Sequence, residues 1–159
     1  MRKVRFLGVG TAAAAALVVA ATALATESTQ RSAKMAAARI STRKLPRLGT
    51  VLVNSKGRTL YMFVPDKRKK VTCVRACAAV WPPVKLPAGA KAVAAGQAKA
   101  SLLGRDPNPA GGRVVTYNKW PLYTYVSDTA SGQAKGQALN LNGGLWYVLS
   151  PSGNVIRTK

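Results

Sequence analysis

The sequence contains no histidine, and only four of its 159 residues are acidic: Glu27, Asp66, Asp106 and Asp128. Without imidazole there is no Ser-His-Asp or Cys-His nucleophile pair, no imidazole general base, and no ordinary zinc or facial-triad iron site. Four acids scattered along a chain do not make a calcium loop or a two-metal site. Neither a metal nor a cofactor is therefore expected, and no small-molecule substrate is identified. Cysteine is scarce as well, with Cys73 and Cys77 alone. Against these absences stand 25 Lys and Arg, which give a formal net charge of +21. A chain of this length holds one domain.

Arg2, Lys3 and Arg5 precede an uncharged, alanine-rich stretch over 6–26, with Ala23-Leu24-Ala25 matching a small-x-small cleavage site. A signal peptide over 1–25 is expected. The alternative is an uncleaved anchor, since the stretch is just long enough to span a bilayer. Alanine is weakly apolar, however, and more positive charge follows the stretch than precedes it, contrary to the positive-inside tendency. No cysteine follows the apolar run, which excludes lipid attachment at a lipobox, and the twin-arginine signal is absent. Residues 26–47 mix Lys and Arg with Ala, Ser and Thr and read as a basic flexible tether.

From Leu48 the texture changes to short β-branched and aromatic runs separated by Gly, Pro and Asn, which predicts an all-β domain over 48–159. Thr50 to Asn54 and Arg58 to Val64 read as a hairpin about Asn54-Ser55-Lys56-Gly57, and Leu145 to Leu149 with Asn154 to Ile156 as a last hairpin about Pro151 and Gly153. Leu60-Tyr61-Met62-Phe63-Val64-Pro65-Asp66 is matched 62 positions later by Leu122-Tyr123-Thr124-Tyr125-Val126-Ser127-Asp128, and Val53 by Val115. Two repeated hairpin-turn units, about 48–85 and 111–156, are thus expected to form one small antiparallel sandwich or partly open barrel. Tyr61 and Phe63, like Tyr123 and Tyr125, are two apart and share a strand face. With Trp81, Trp120 and Trp146 they supply core area, or alternatively a stacking face for a ligand. Lys91 to Leu103 reads only as a connection.

Tyr61-x-Phe63-x-x-Asp66 and Tyr123-x-Tyr125-x-x-Asp128, with Cys73-x-x-x-Cys77-Ala78 leading into Trp81-Pro82-Pro83, resemble the bacterial predicted lipoprotein or secreted repeat of unknown function family, known for a Y-x-[FWY]-x-x-D motif. The likeness runs from Leu48 to Gly153. It implies secretion and a repeated β unit and no established activity. Two departures stand out: the lipid-anchoring cysteine of many members is missing, and Ser131-Gly132-Gln133 replaces a Pro-Gly-Asp-like stretch, removing an acid.

Asp66 and Asp128 have two readings. A carboxylate just past a strand end accepts backbone N–H bonds and fixes the next turn; as a catalytic pair the two would need to face one substrate. Lys67, Arg68, Lys69 and Lys70 should lower the Asp66 pKa where they approach it. Cys73 and Cys77 are expected to oxidise in an exported chain. With Thr72 capping a short helical turn, the thiols fall one turn apart, and the loop they close contributes on the order of 2 kcal/mol. The alternative is an extracytoplasmic redox or metal-handling partner using the same pair, which lacks the histidine such copper sites need. The positive charge points to anionic envelope polymers or lipid headgroups as partners, with Lys67 to Lys70 as the one basic run, and to nucleic acid only non-specifically in vitro. It also serves plain solubility. The sequence as a whole reads as a secreted, non-enzymatic envelope protein.

Overall fold

The computed structural model describes residues 38–68 and 70–158. The expected signal peptide over 1–25, the first part of the expected tether and Lys69 lie outside the described residues. Chain order is β1 (Ala38–Leu45), β2 (Gly49–Asn54), β3 (Tyr61–Phe63), a 3-10 turn (Val64–Asp66), α1 (Ala76–Val80), β4 (Lys85–Leu86) and β5 (Ala92–Ala94). A second 3-10 turn (Ala100–Leu102) follows, then β6 (Leu103–Pro107), β7 (Arg113–Tyr117), β8 (Trp120–Pro121), β9 (Asn140–Leu141) and β10 (Gly144–Val148). The strands lie in three small sheets, ordered β2-β1-β5, β3-β10-β9 and β4-β7-β6 with β8 beside β7. All pairings are antiparallel except β1 with β5. The domain is β-rich with almost no helix, and the sheets do not close into a barrel.

β1 corrects the tether boundary. Residues 38–45, expected to be flexible, form an eight-residue strand whose partners on β2 run from Ile40 opposite Asn54 to Leu45 opposite Gly49. Its sequence carries only Ile40 and Leu45 as large apolar residues, and both are buried. The strand is set by its neighbour rather than by its own composition, as is common in sheets. Within the stretch read as a connection, Ala92–Ala94 closes the other edge of β1.

The two repeats build the same hairpin with different turns. In the first, Val53 pairs with Thr59 and Leu60 N–H donates to Leu52 O, about the turn Ser55-Lys56-Gly57. In the second, Thr116 pairs with Pro121 and Leu122 N–H donates to Val115 O, about Asn118 and Lys119. The three-residue turn places Gly57 at φ 72°, and the two-residue turn places Asn118 and Lys119 at φ 46° and 68°, matching the two commonest hairpin loops. The extra turn residue shifts the register, so the structural partner of Val115 is Leu52 and not Val53. The last hairpin forms as expected, with Leu149 bridged to Val155 and Gly153 N–H donating to Ser150 O.

Strand periodicity sorts the buried residues into two clusters. Leu52, Leu60, Met62, Val115, Tyr117, Leu122 and Leu149 pack on one side. Val51, Val53, Tyr61, Phe63, Tyr123, Trp146 and Val148 pack on the other. The strands at the centre are covered on both faces, which is why Leu60 to Phe63 and Trp146 to Leu149 read as continuous apolar runs without alternation.

Candidate functional site

Tyr61 and Tyr123 face each other as an antiparallel pair, exchanging two N–H···O bonds of 2.9 Å. A local pseudo-twofold axis passes between them, and it carries the two motifs into contact. Tyr61 Oη donates to Asp128 Oδ2 at 2.6 Å, and Tyr123 Oη donates to Asp66 Oδ2 at 2.6 Å. The tyrosine of each motif thus closes on the aspartate of the other. The remaining oxygens are held locally: Thr72 N–H and Oγ1 donate to Asp66 Oδ1, and Lys135 N–H donates to Asp128 Oδ1. Each aspartate fixes the loop after its own motif, the turn role read from the sequence, and also ties that loop to the opposite repeat.

The aromatics follow the same symmetry. Trp81 and Trp146 stack face to face, with ring centroids 3.9 Å apart and planes within 3°. Phe63 stacks on the outer face of Trp146 at 4.1 Å, and Tyr125 on the outer face of Trp81 at 4.2 Å. Tyr61 and Tyr123 meet Trp81 and Trp146 edge-on at 5.4 and 5.3 Å. Gly136 lets the loop approach this cluster, because a Cβ there would sit 2.7 Å from Trp81 Cη2 and 2.9 Å from Tyr61 Cζ; its N–H donates to Tyr61 Oη. Trp120 stands apart from the expected core role. It is only partly buried, packs on the edge of the opposite cluster, and lies 5.8 Å beneath the Arg68 guanidinium.

Burial sets the electrostatics. It pushes the Asp66 carboxyl above the ordinary carboxylate value, with the Tyr123 and Thr72 donors opposing it; Asp128 is raised in the same way, opposed by Tyr61 and Lys135. The expected lowering of Asp66 by Lys67, Arg68, Lys69 and Lys70 is therefore corrected: desolvation of a fully buried carboxyl raises it instead. Lys67, Arg68 and Lys70 are all exposed. Tyr61 and Tyr123 are pushed above the ordinary phenol value by burial and by the aspartates they bond.

Cys73 and Cys77 are joined in a disulfide with Cα atoms 5.2 Å apart. The helical turn beside them is α1, and its cap is Arg75. Thr72 does not cap it, because it lies three residues before Arg75 and is turned to Asp66 instead. Among the described residues, no group of three or more His, Cys, Asp or Glu could hold a metal, and no helix is long and apolar enough to cross a membrane. The three described acids, Asp66, Asp106 and Asp128, are 0%, 6% and 3% exposed.

A duplicated β unit whose copies exchange tyrosine–aspartate bonds through a shared aromatic core defines the class: a two-repeat β-rich domain. The family model described as a secreted repeat of unknown function matches residues 42–85 and 107–150, and the chain belongs to this family. The protein is accordingly of a secreted family. Neither the curated proteins nor the solved structures returned a match.

Proposed function

We propose that this protein is a non-enzymatic component of the bacterial cell envelope that binds anionic wall or membrane material through its cationic exterior, with the duplicated domain as rigid support. The observation that carries the reading is where the carboxylates go. Asp66, Asp106 and Asp128 are buried, whereas Arg39, Arg43, Lys44, Arg47, Lys56, Lys67 and Arg68 are exposed. A field of one sign attracts polyanions over a Debye length of about 8–10 Å and is screened by salt. Asp66 and Asp128 are each committed to a tyrosine and a loop, which supports a structural assignment over a catalytic one.

Cosedimentation of the exported protein with isolated envelopes, across a salt series, tests this. Retention should fall steeply between low and molar salt, as expected for phosphate or carboxylate neutralisation. Retention unchanged in molar salt would sink the proposal.

A further inference from the structure

The pseudo-symmetry places two equivalent clefts on the outside of the β1–β2 and β6–β7 hairpins, of about 460 and 440 Å³. Thr42 lies opposite Leu52, and Arg105 lies opposite Val115, the residue equivalent to Leu52. Stepping along the chain from that register, Arg43 corresponds to Asp106 on β6, and Arg39 to Leu102, the last residue of the 3-10 turn that leads into β6. The two clefts therefore occupy equivalent places and differ in charge. The first is lined by Arg39, Arg43, Ser41, Asn54 and Ser55, with no carboxylate. The second has Leu102 and Asp106 where the first has its two arginines, and carries its cations, Arg105 and Lys119, at other positions beside that carboxylate.

We infer that the cleft between β1 and the β2 turn is a seat for the phosphate groups of a linear anionic polymer, held by Arg39 and Arg43. This rests on the envelope-binding reading above and names its site. Arg39, Ser41 and Arg43 share one face of β1, and the two arginine Cα atoms stand about 13 Å apart along an extended strand. Two guanidinium forks at that spacing reach separate phosphates of one chain, and guanidinium meets phosphate through paired N–H···O bonds. Asn54 Oδ1 is already occupied by the Lys56 and Arg58 N–H groups, leaving its NH2 as a donor. Ser41 and Ser55 add hydroxyls. The seat is an open, polar groove, which suits a strand of polymer.

The duplication supplies the control. Arg39→Gln/Arg43→Gln and Arg105→Gln/Lys119→Gln each remove two positive charges, from equivalent clefts. All four side chains are exposed, so thermal unfolding of the full chain should be unchanged in both variants. With long-chain inorganic polyphosphate as the probe and fluorescence anisotropy as the readout, the first variant should lose about tenfold or more in affinity and flatten the salt slope by about 1.4. The second variant should lose less than about threefold. Equal losses in both variants would overturn the seat and leave net charge alone as the binding determinant. A wild-type protein that leaves envelopes on salt addition, with polyphosphate affinity indifferent to Arg39 and Arg43, would sink the seat and spare the envelope reading. A wild-type protein that binds neither envelopes nor polyphosphate would sink both. Capture by phosphatidylglycerol vesicles that depends on Arg39 and Arg43, without polyphosphate binding, would overturn the polymer in favour of lipid.

Discussion

Replacing Tyr61 by Phe deletes one oxygen from the centre of the domain and leaves the ring stack intact. The deleted hydroxyl donates to Asp128 Oδ2 at 2.6 Å and accepts from Gly136 N–H at 3.2 Å. A hydrogen bond to a charged partner is worth about 1.5–3 kcal/mol, and a buried carboxylate left with one donor fewer retains its desolvation cost. Asp128 keeps the Lys135 N–H on its other oxygen, so the loss should fall within that range and not beyond it. For a domain of this size that is a fall in melting temperature on the order of 10 °C. The pseudo-twofold makes the same demand of Tyr123→Phe, whose partner Asp66 keeps both Thr72 donors; its cost should be equal or slightly smaller. Urea unfolding followed by tryptophan fluorescence reads both, since Trp81 and Trp146 lie against the two tyrosines. A double-mutant cycle of Tyr61→Phe with Asp128→Asn should return a coupling above about 1 kcal/mol, as for contacting groups in one network. Losses below about 0.5 kcal/mol for both tyrosines, or zero coupling in the cycle, would refute the claim that the exchanged pairs tie the repeats together.

Three further predictions concern the same cluster. Asp66 and Asp128 have folded-state pKa values raised above their ordinary 3.8 by burial, so the native state binds more protons than the unfolded chain just above that value and stability falls as pH rises through the window; the urea midpoint should increase on acidification from about pH 7 towards about pH 4, and a steady decrease over that range would count against the burial argument. The raised tyrosines work at the other end: stability present below their ordinary 10.0 is lost as pH climbs past it. Gly136→Ala should destabilise by about 1–3 kcal/mol through overpacking against Trp81 and Tyr61, and an unchanged melting temperature would show that the loop has room to move.

The motif pair was legible because it is short, aromatic and free of insertions: Tyr61 to Asp66 and Tyr123 to Asp128 superpose in the sequence without a gap. What they do to each other was not legible, since the exchange of Tyr61 with Asp128 and Tyr123 with Asp66 depends on an axis that only pairing in space creates. Trp81 and Trp146 are symmetry partners too, each followed two residues later by the residue paired with the opposite motif tyrosine, Pro83 with Tyr123 and Val148 with Tyr61. Their spacing differs from that of the motifs because the intervening loops differ in length. One loop carries the disulfide and α1, the other a run of turns with Gly136. β1 was hidden for another reason, having too few large apolar residues to announce a strand whose edges are supplied by β2 and β5.

The scarcity of acids and their burial explain one another. Asp66 and Asp128 make up half of the acidic residues of the chain, and each accepts bonds that need an oxygen acceptor on both sides: a phenol from the opposite repeat and a backbone N–H from its own loop. An asparagine supplies one carbonyl oxygen and an NH2, so an exchange to amide keeps the loop N–H bond but forces the tyrosine hydroxyl to turn from donor to acceptor, replacing a charge-assisted bond with a weaker neutral one. The domain's interior therefore favours carboxylates at these two positions. In a chain of formal charge +21, the three described acids are all buried, as the proposed envelope reading expects, and Asp106 stands in the second cleft at the place of Arg43 in the first.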